Sequence, residues 1–349
     1  IVGVGKKQIV VNIQYNKGAG TLNLYGGTIK NFEKGVVNNG TFNMYGGKLT
    51  KNSQGVSNTN TFNMHGGTIT ENSGASNGAG VSNSGSFTMS GGDITYNTAS
   101  QSGTENNGFG GGVHNRSSFV MTDGTITGNT AKNDGGGVYS GSDSTYIYGG
   151  SITSNNAKRG DDVYAASNCG VHLKGNVTIG SYRSNGLLTN TVHYIDGSLE
   201  ADSESKILLS VASGTTNDTV LLSPGKNYTI KDADLKKFSL KNGYEVTLND
   251  KGNVILSLPH KHTLCNGTSW QHSGAGHSDS CGTSVTFEEW TDAEAKKMYP
   301  DTGATAANCL PNEGDWYLTN PVTLTAPHVV DGGELNLCLN GRVALKARH

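Results

Sequence analysis

Six side chains able to bind a metal, or one another, crowd into a single stretch: His260, His262, Cys265, His272, His277 and Cys281, within 22 residues. The spacings His262-x2-Cys265 and His277-x3-Cys281 are those of metal ligands, and four such groups could hold zinc tetrahedrally. The competing reading is a Cys265–Cys281 disulfide with histidines scattered through a polar loop. Either outcome staples a segment with little core of its own, so the expected role is structural. No cofactor other than that zinc is implied. Cys169, far from this group, is expected to be a small buried core residue.

A second chemistry comes from aromatic rings beside amides. Tyr25, Tyr45 and His65 recur at a fixed interval, each two residues after Asn23, Asn43 and Asn63; later in the chain Tyr148 follows Tyr146 in the same way. Flat aromatic faces flanked by hydrogen-bonding amides are suited to saccharides, which offer an apolar ring face and a rim of hydroxyls. Tyr25, Tyr45, His65, Asn43, Asn63, Tyr146 and Tyr148 are therefore the candidate ligand-binding residues. The plainer account is a solvated sheet face carrying ordinary strand-formers.

Glycoside cleavage is a third option, and it usually needs two neighbouring carboxyl groups. Neither aromatic series contains Asp or Glu. Glu33, Glu71, Asp93, Glu105, Asp123, Asp161 and Asp162 fall on turns or on other sides, with Asp93, Glu105 and Asp123 the best of them, so no catalytic residue is expected. Rows such as Thr68-Ile69-Thr70 and Thr125-Ile126-Thr127 could order ice. Lys30, Lys48 and Asp93 interrupt them, which favours a β-branched solvent face.

The positioning elements are written into the repetition itself. "GTFNMYGGKLTKNSQGV" is followed at once by "NTFNMHGGTITENSGASNGAGV". Leu22/Leu24, Phe42/Met44, Phe62/Met64, Phe87/Met89 and Phe119/Met121 each flank one outward residue, the period of a strand with one buried face. A Gly pair (Asp123-Gly124 in one repeat) follows each, then one inward aliphatic residue: Ile29, Leu49, Ile69, Ile94, Ile126 or Ile152. Next comes an Asn, at Asn31, Asn52, Asn72, Asn97, Asn129 or Asn155, and then a third strand at Val36, Val56, Val81, Val113, Val138 or Val163. Three short strands and three turns per repeat predict an all-β fold, a right-handed parallel β-helix in which like residues stack into ladders. The Gly pairs would supply the positive φ of a tight turn.

The pattern "GTFNMYGGxIxxNxA…GGGV", over residues 20 to about 180, resembles the β-helix repeats of large bacterial cell-surface proteins. These are adhesin-like modules, distantly similar in shape to polymorphic outer-membrane proteins and pectate-lyase-like folds. The resemblance implies an extracellular, surface location and a host or matrix glycan or protein as partner.

From residue 181 the repeat fades. Expected domains are the β-helix over 1–180, a small antiparallel β module capping it over 181–257, a His/Cys-containing linker with one short helix over 258–314, and the first coil of a second β-helix over 315–349. Thr291 is the expected N-cap of that helix, with Glu294 at its third position. The start without Met and the end inside a strand lead us to expect a fragment cut on both sides.

With 349 residues, 51 of them Gly, and a net charge of −2, there is no basic field for nucleic acid. No apolar run reaches membrane-spanning length. The expected function is a non-enzymatic structural or adhesive rod, acting as a monomer. A carbohydrate-active β-helix enzyme (a lyase or glycoside hydrolase) and a passive spacer are the alternatives.

Overall fold

The computed structural model describes residues 9–13, 20–100, 107–181, 185–199, 206–212, 214–240 and 244–257. In the later chain it describes 261–265, 269–273, 288–289, 291–298, 310, 314–318, 322–324, 335–339 and 345–347. The chain divides into two units, Ile1–Leu258 and Pro259–His349.

The first unit is a parallel β-helix. Its first strands run Thr21–Leu24, Thr41–Met44, Thr61–Met64 and onward to His193–Leu199 and Val220–Pro224, each paired parallel with the next. Second and third strands pair the same way, with Ile29 on Leu49 on Ile69 and Val36 on Val56 on Val81. Register is kept because every coil places the same residue type at the same corner.

Inside, Phe42, Phe62, Phe87 and Phe119 stack with centroids 4.8, 4.7 and 4.9 Å apart, the rung spacing of a parallel sheet. Met44, Met64, Met89 and Met121 form the neighbouring ladder, and all eight side chains are fully buried. Burial of each is worth about 2–3 kcal/mol, so the interior is the main source of stability. The second glycine of each pair sits at positive φ, Gly47 at 85° and Gly67 at 83°. A Cβ on Gly67 would lie 2.6 Å from the Met44 side chain and 2.8 Å from the Gly46 carbonyl carbon, so both conformation and space demand glycine.

The corner after the second strand is held by an amide ladder. Asn52 donates through Nδ2 to Asn72 Oδ1 at 3.0 Å and to the Ile29 carbonyl at 3.2 Å, and its backbone N–H also donates to Asn72 Oδ1. Asn72, Asn97 and Asn129 repeat this toward the next coil. The residue before each Asn is left-handed (Lys51, Glu71, Tyr96, Ser154), which turns the chain and frees the N–H that the next amide oxygen accepts. Asp162 ends the series, its Oδ1 accepting from the Asn155 backbone and side chain. Asn31 does not belong to this ladder. Asn31 is the left-handed corner residue, at φ 67°, and Phe32 occupies the ladder slot, donating its N–H to Asn52 Oδ1.

Parallel stacking does not stop at residue 181. Leu187–Thr189 pairs parallel with Ile207–Val211, which pairs parallel with Phe238–Leu240. Among the described residues of 181–257, the expected antiparallel pairing is found where Val254–Ser257 runs antiparallel to Val220–Pro224 and to Glu245–Leu248. A short helix that sequence reasoning did not anticipate, Asp232–Leu235, lies in this part. Buried Asp234 accepts from the Leu199 and Lys231 N–H groups and the Tyr228 hydroxyl. Cys169 is not a core residue: it is partly exposed on a turn, its N–H bonded to the Ala166 carbonyl.

In the second unit, Lys261–Cys265 and Ser269–Ser273 form an antiparallel hairpin. Glu288–Glu289, Gly314–Leu318 and Leu335–Leu339 pair parallel in that order, and Val322–Leu324 pairs parallel with Leu345–Ala347. The paired strands begin 21 to 26 residues apart in the sequence. The helix is Asp292–Met298, capped as its sequence predicts by Thr291 Oγ1, which accepts the Glu294 N–H.

Candidate functional site

The outer face of the first-strand sheet carries two side-chain columns, because successive residues of a strand point to opposite sides. Toward the start of the β-helix, Tyr25 stacks on Tyr45 at 5.0 Å and 8°, and Tyr45 on His65 at 4.9 Å and 14°. His65 Nδ1 lies 2.9 Å from Ser90 Oγ. In the adjacent column Asn43 Nδ2 donates to Asn23 Oδ1 at 2.8 Å, and Asn63 Nδ2 to Asn43 Oδ1 at 2.9 Å. Tyr25 is 72% exposed and Tyr45 46%. Tyr96, outside this column, is 65% exposed, so openness alone does not set the pair apart; their adjacency in one stack does.

Tyr146 and Tyr148 lie on the same sheet face but not in the same group. Ser90 and Thr122 separate His65 from Tyr148 along the column, three rungs or about 14 Å. The two tyrosines instead join His172, Lys174, Tyr194 and Asp196. Tyr146 packs against His172 at 4.8 Å with the rings tilted by 37°, and His172 stacks on Tyr194 at 4.7 Å. His172 Nδ1 approaches Asp196 Oδ1 at 2.9 Å and Oδ2 at 3.0 Å, while the Tyr148 hydroxyl donates to Oδ2 at 2.6 Å. Burial, then this hydrogen bond, raises the Tyr148 phenol above its ordinary range. Lys174 Nζ sits 4.0 Å from the Tyr148 ring centroid, a cation–π contact.

Sequence reasoning missed His172, Lys174, Tyr194 and Asp196. Their signal was present: the Tyr146 column continues through His172 and Tyr194 in register, although only Gly175 remains of the Gly pair. A further aromatic group went unread on the third-strand sheet. There Phe109 and His114 both stack on Tyr139, Tyr139 stacks on Tyr164, and the Arg159 guanidinium lies 5.0 Å from the Tyr164 centroid. Arg159 in turn grips buried Asp134 with two contacts of 2.7 Å. His114 and Tyr164 are buried, so this group packs the inserted loops against the coil. Burial, then the nearby Arg116 charge, lowers His114 to a pKa of about 4, and its Nδ1 has no partner.

The acids considered for catalysis are differently placed. Asp161 accepts the Ala157 and Asn185 N–H groups and Asp162 ends the amide ladder, so both hold corners. Asp93 and Asp123 are exposed on the first-to-second strand turn; Glu105 lies outside the described residues. Of the zinc-or-disulfide group, His262 and Cys265 fall on the hairpin strand, with His262 in register with His272. His260, His277 and Cys281 lie outside the described residues. No helix among the described residues is long and apolar enough to cross a membrane.

No family model, curated protein or solved structure matches this chain.

Proposed function

We propose that this chain is a non-enzymatic module of a bacterial surface protein, a stiff rod that presents a saccharide-binding face. The observation that carries the reading is the open Tyr25–Tyr45–His65 ladder beside the Asn23–Asn43–Asn63 amides. A pyranose ring laid across the outward edges of the stacked rings would cover apolar surface now in water, and the amides would meet its hydroxyls. The scaffold is suited to the task. Ladder spacing is fixed by backbone hydrogen bonds, so the rings are held in place before any ligand arrives and little ordering cost remains. The partner would be a host or matrix glycan, free or on a glycoprotein, and the location extracellular.

A glycan and mucin binding screen tests this, with release of reducing sugar followed in the same wells. Binding without release, weakened at least tenfold in Tyr45→Ala, is the expected result. Release of reducing ends would replace the reading with an enzyme, and silence in both channels would replace it with a passive spacer.

A further inference from the structure

The two aromatic groups on this face differ in charge. Around Tyr25, Tyr45 and His65 the neighbours are neutral amides and a serine. Around Tyr146, His172 and Tyr194 there is a lysine and a buttressed carboxylate.

Asp196 is occupied: it takes the Tyr148 hydroxyl and the His172 Nδ1 proton. That contact fixes the imidazole, leaving Nε2 as the atom free for a ligand. Among the described residues His172 Nε2 meets no hydrogen-bond partner, and the side chain is 20% exposed. Lys174 is exposed, and its ammonium rests on a ring rather than on a carboxylate. Two unfilled polar groups of basic character therefore stand beside a three-ring ladder.

Resting on the glycan reading above, we propose that Tyr146, His172, Tyr194 and Lys174 form a second saccharide subsite, selective for a sugar residue that carries a carboxylate. The sugar lies across the outward edges of the rings and its carboxylate takes the Lys174 ammonium, a charge-assisted contact stronger than one to a hydroxyl. A neutral sugar leaves that ammonium unused. Asp196 and Tyr148 are positioning residues, which hold the imidazole and the lysine stem.

The test uses the whole chain and two oligosaccharides of equal length, measured by titration calorimetry: a hyaluronan hexasaccharide, with glucuronate at alternate residues, and neutral chitohexaose. Expected is hyaluronan binding that falls at least tenfold in Lys174→Met, which keeps the stem, and stays within twofold in Lys132→Met, which removes an exposed lysine away from both ring groups. Melting curves of both variants should match the parent. Chitohexaose binding alone, or hyaluronan binding within twofold of the parent in Lys174→Met, overturns this subsite and leaves the general reading standing. Failure of both sugars in the parent, with an empty glycan screen, removes both.

Discussion

Two ladders of rings run along the same strands, on opposite sides of one backbone. The inner one, Phe42 to Phe119, and the outer one, Tyr25 to His65, stack at nearly the same spacing, 4.7–4.9 Å against 4.9–5.0 Å. Their geometry is therefore not evidence of function in either case. The rung imposes it, because parallel in-register strands put residue on residue at about 4.8 Å. What separates the ladders is water: the phenylalanines are fully buried, whereas Tyr25 and Tyr45 stand open. The inner ladder stabilises the fold by burial, and the outer one leaves its ring surface in water.

The sharpest way to break this contrast is charge. Met64→Asp should abolish the cooperative melt of the first unit, since an unpaired buried carboxylate costs more than a domain's typical net stability of about 5–15 kcal/mol. His65→Asp, one residue on and outward, should melt within a few degrees of the parent. Equal behaviour of the two would show that the inward assignment is off by one residue.

Truncation gives a smaller and more graded contrast. Phe62→Ala should lose about 3–5 kcal/mol in urea titration, because the stack on both sides keeps the cavity from closing. Tyr45→Ala should lose under about 1 kcal/mol, as an exposed ring surrenders little burial. A loss above that in Tyr45→Ala would mean that the outer ladder is structural, and would remove the main support for the binding face.

Acidity tests the interior through its imidazoles. His193 is fully buried, Nδ1 accepting the Val171 N–H and Nε2 facing the Leu188 carbonyl, and burial holds its pKa down at about 4. His114 behaves alike. Both bind a proton less readily folded than unfolded, where the pKa is about 6.5. Their stability contribution is thus complete above pH 6.5 and is lost as pH falls toward 4. The loss is on the order of 3 kcal/mol for each by pH 4. Urea midpoints measured between pH 7 and 4 should fall accordingly, and His193→Gln should flatten part of that slope. A parent midpoint unchanged over that range would mean that neither imidazole is shielded.

Much of this was legible in the sequence because each coil repeats one chemical demand. The Phe, Met, Ile and Val columns could be read directly, as could the Gly pairs. Asn31 has the residue type of the ladder but not its spacing, since it stands at the left-handed corner one residue early. The ladder slot lies three residues after the inward aliphatic, and from Ile29 that is Phe32. A second buried amide ladder, Asn38–Asn58–Asn83–Asn115, with contacts of 2.6–2.7 Å, was overlooked although each Asn follows the inward Val by two residues. Strand direction after residue 181 was not legible, since alternation is the same for parallel and antiparallel neighbours. Asp196 was hidden for a different reason: its partners His172 and Tyr148 are 24 and 48 residues away and meet it only through stacking.

The corner ladder also has a direction. Every amide from Asn52 onward donates toward the later coil, and the last donor meets Asp162, whose carboxyl oxygens accept from Asn155 and from the Gly186 N–H. Such a series needs one terminator, and the number of amides before it is free. Excising or duplicating one 20-residue period brings asparagine against asparagine again and leaves both ends as they were. The distance from the start of the rod to its cap can thus change in unit steps of one rung, by slippage during copying of a repetitive gene, without new residues having to be found. Because the 20-residue coils are the ones that carry Tyr25, Tyr45 and His65, each such step lengthens or shortens the outer ring ladder together with the coil stack.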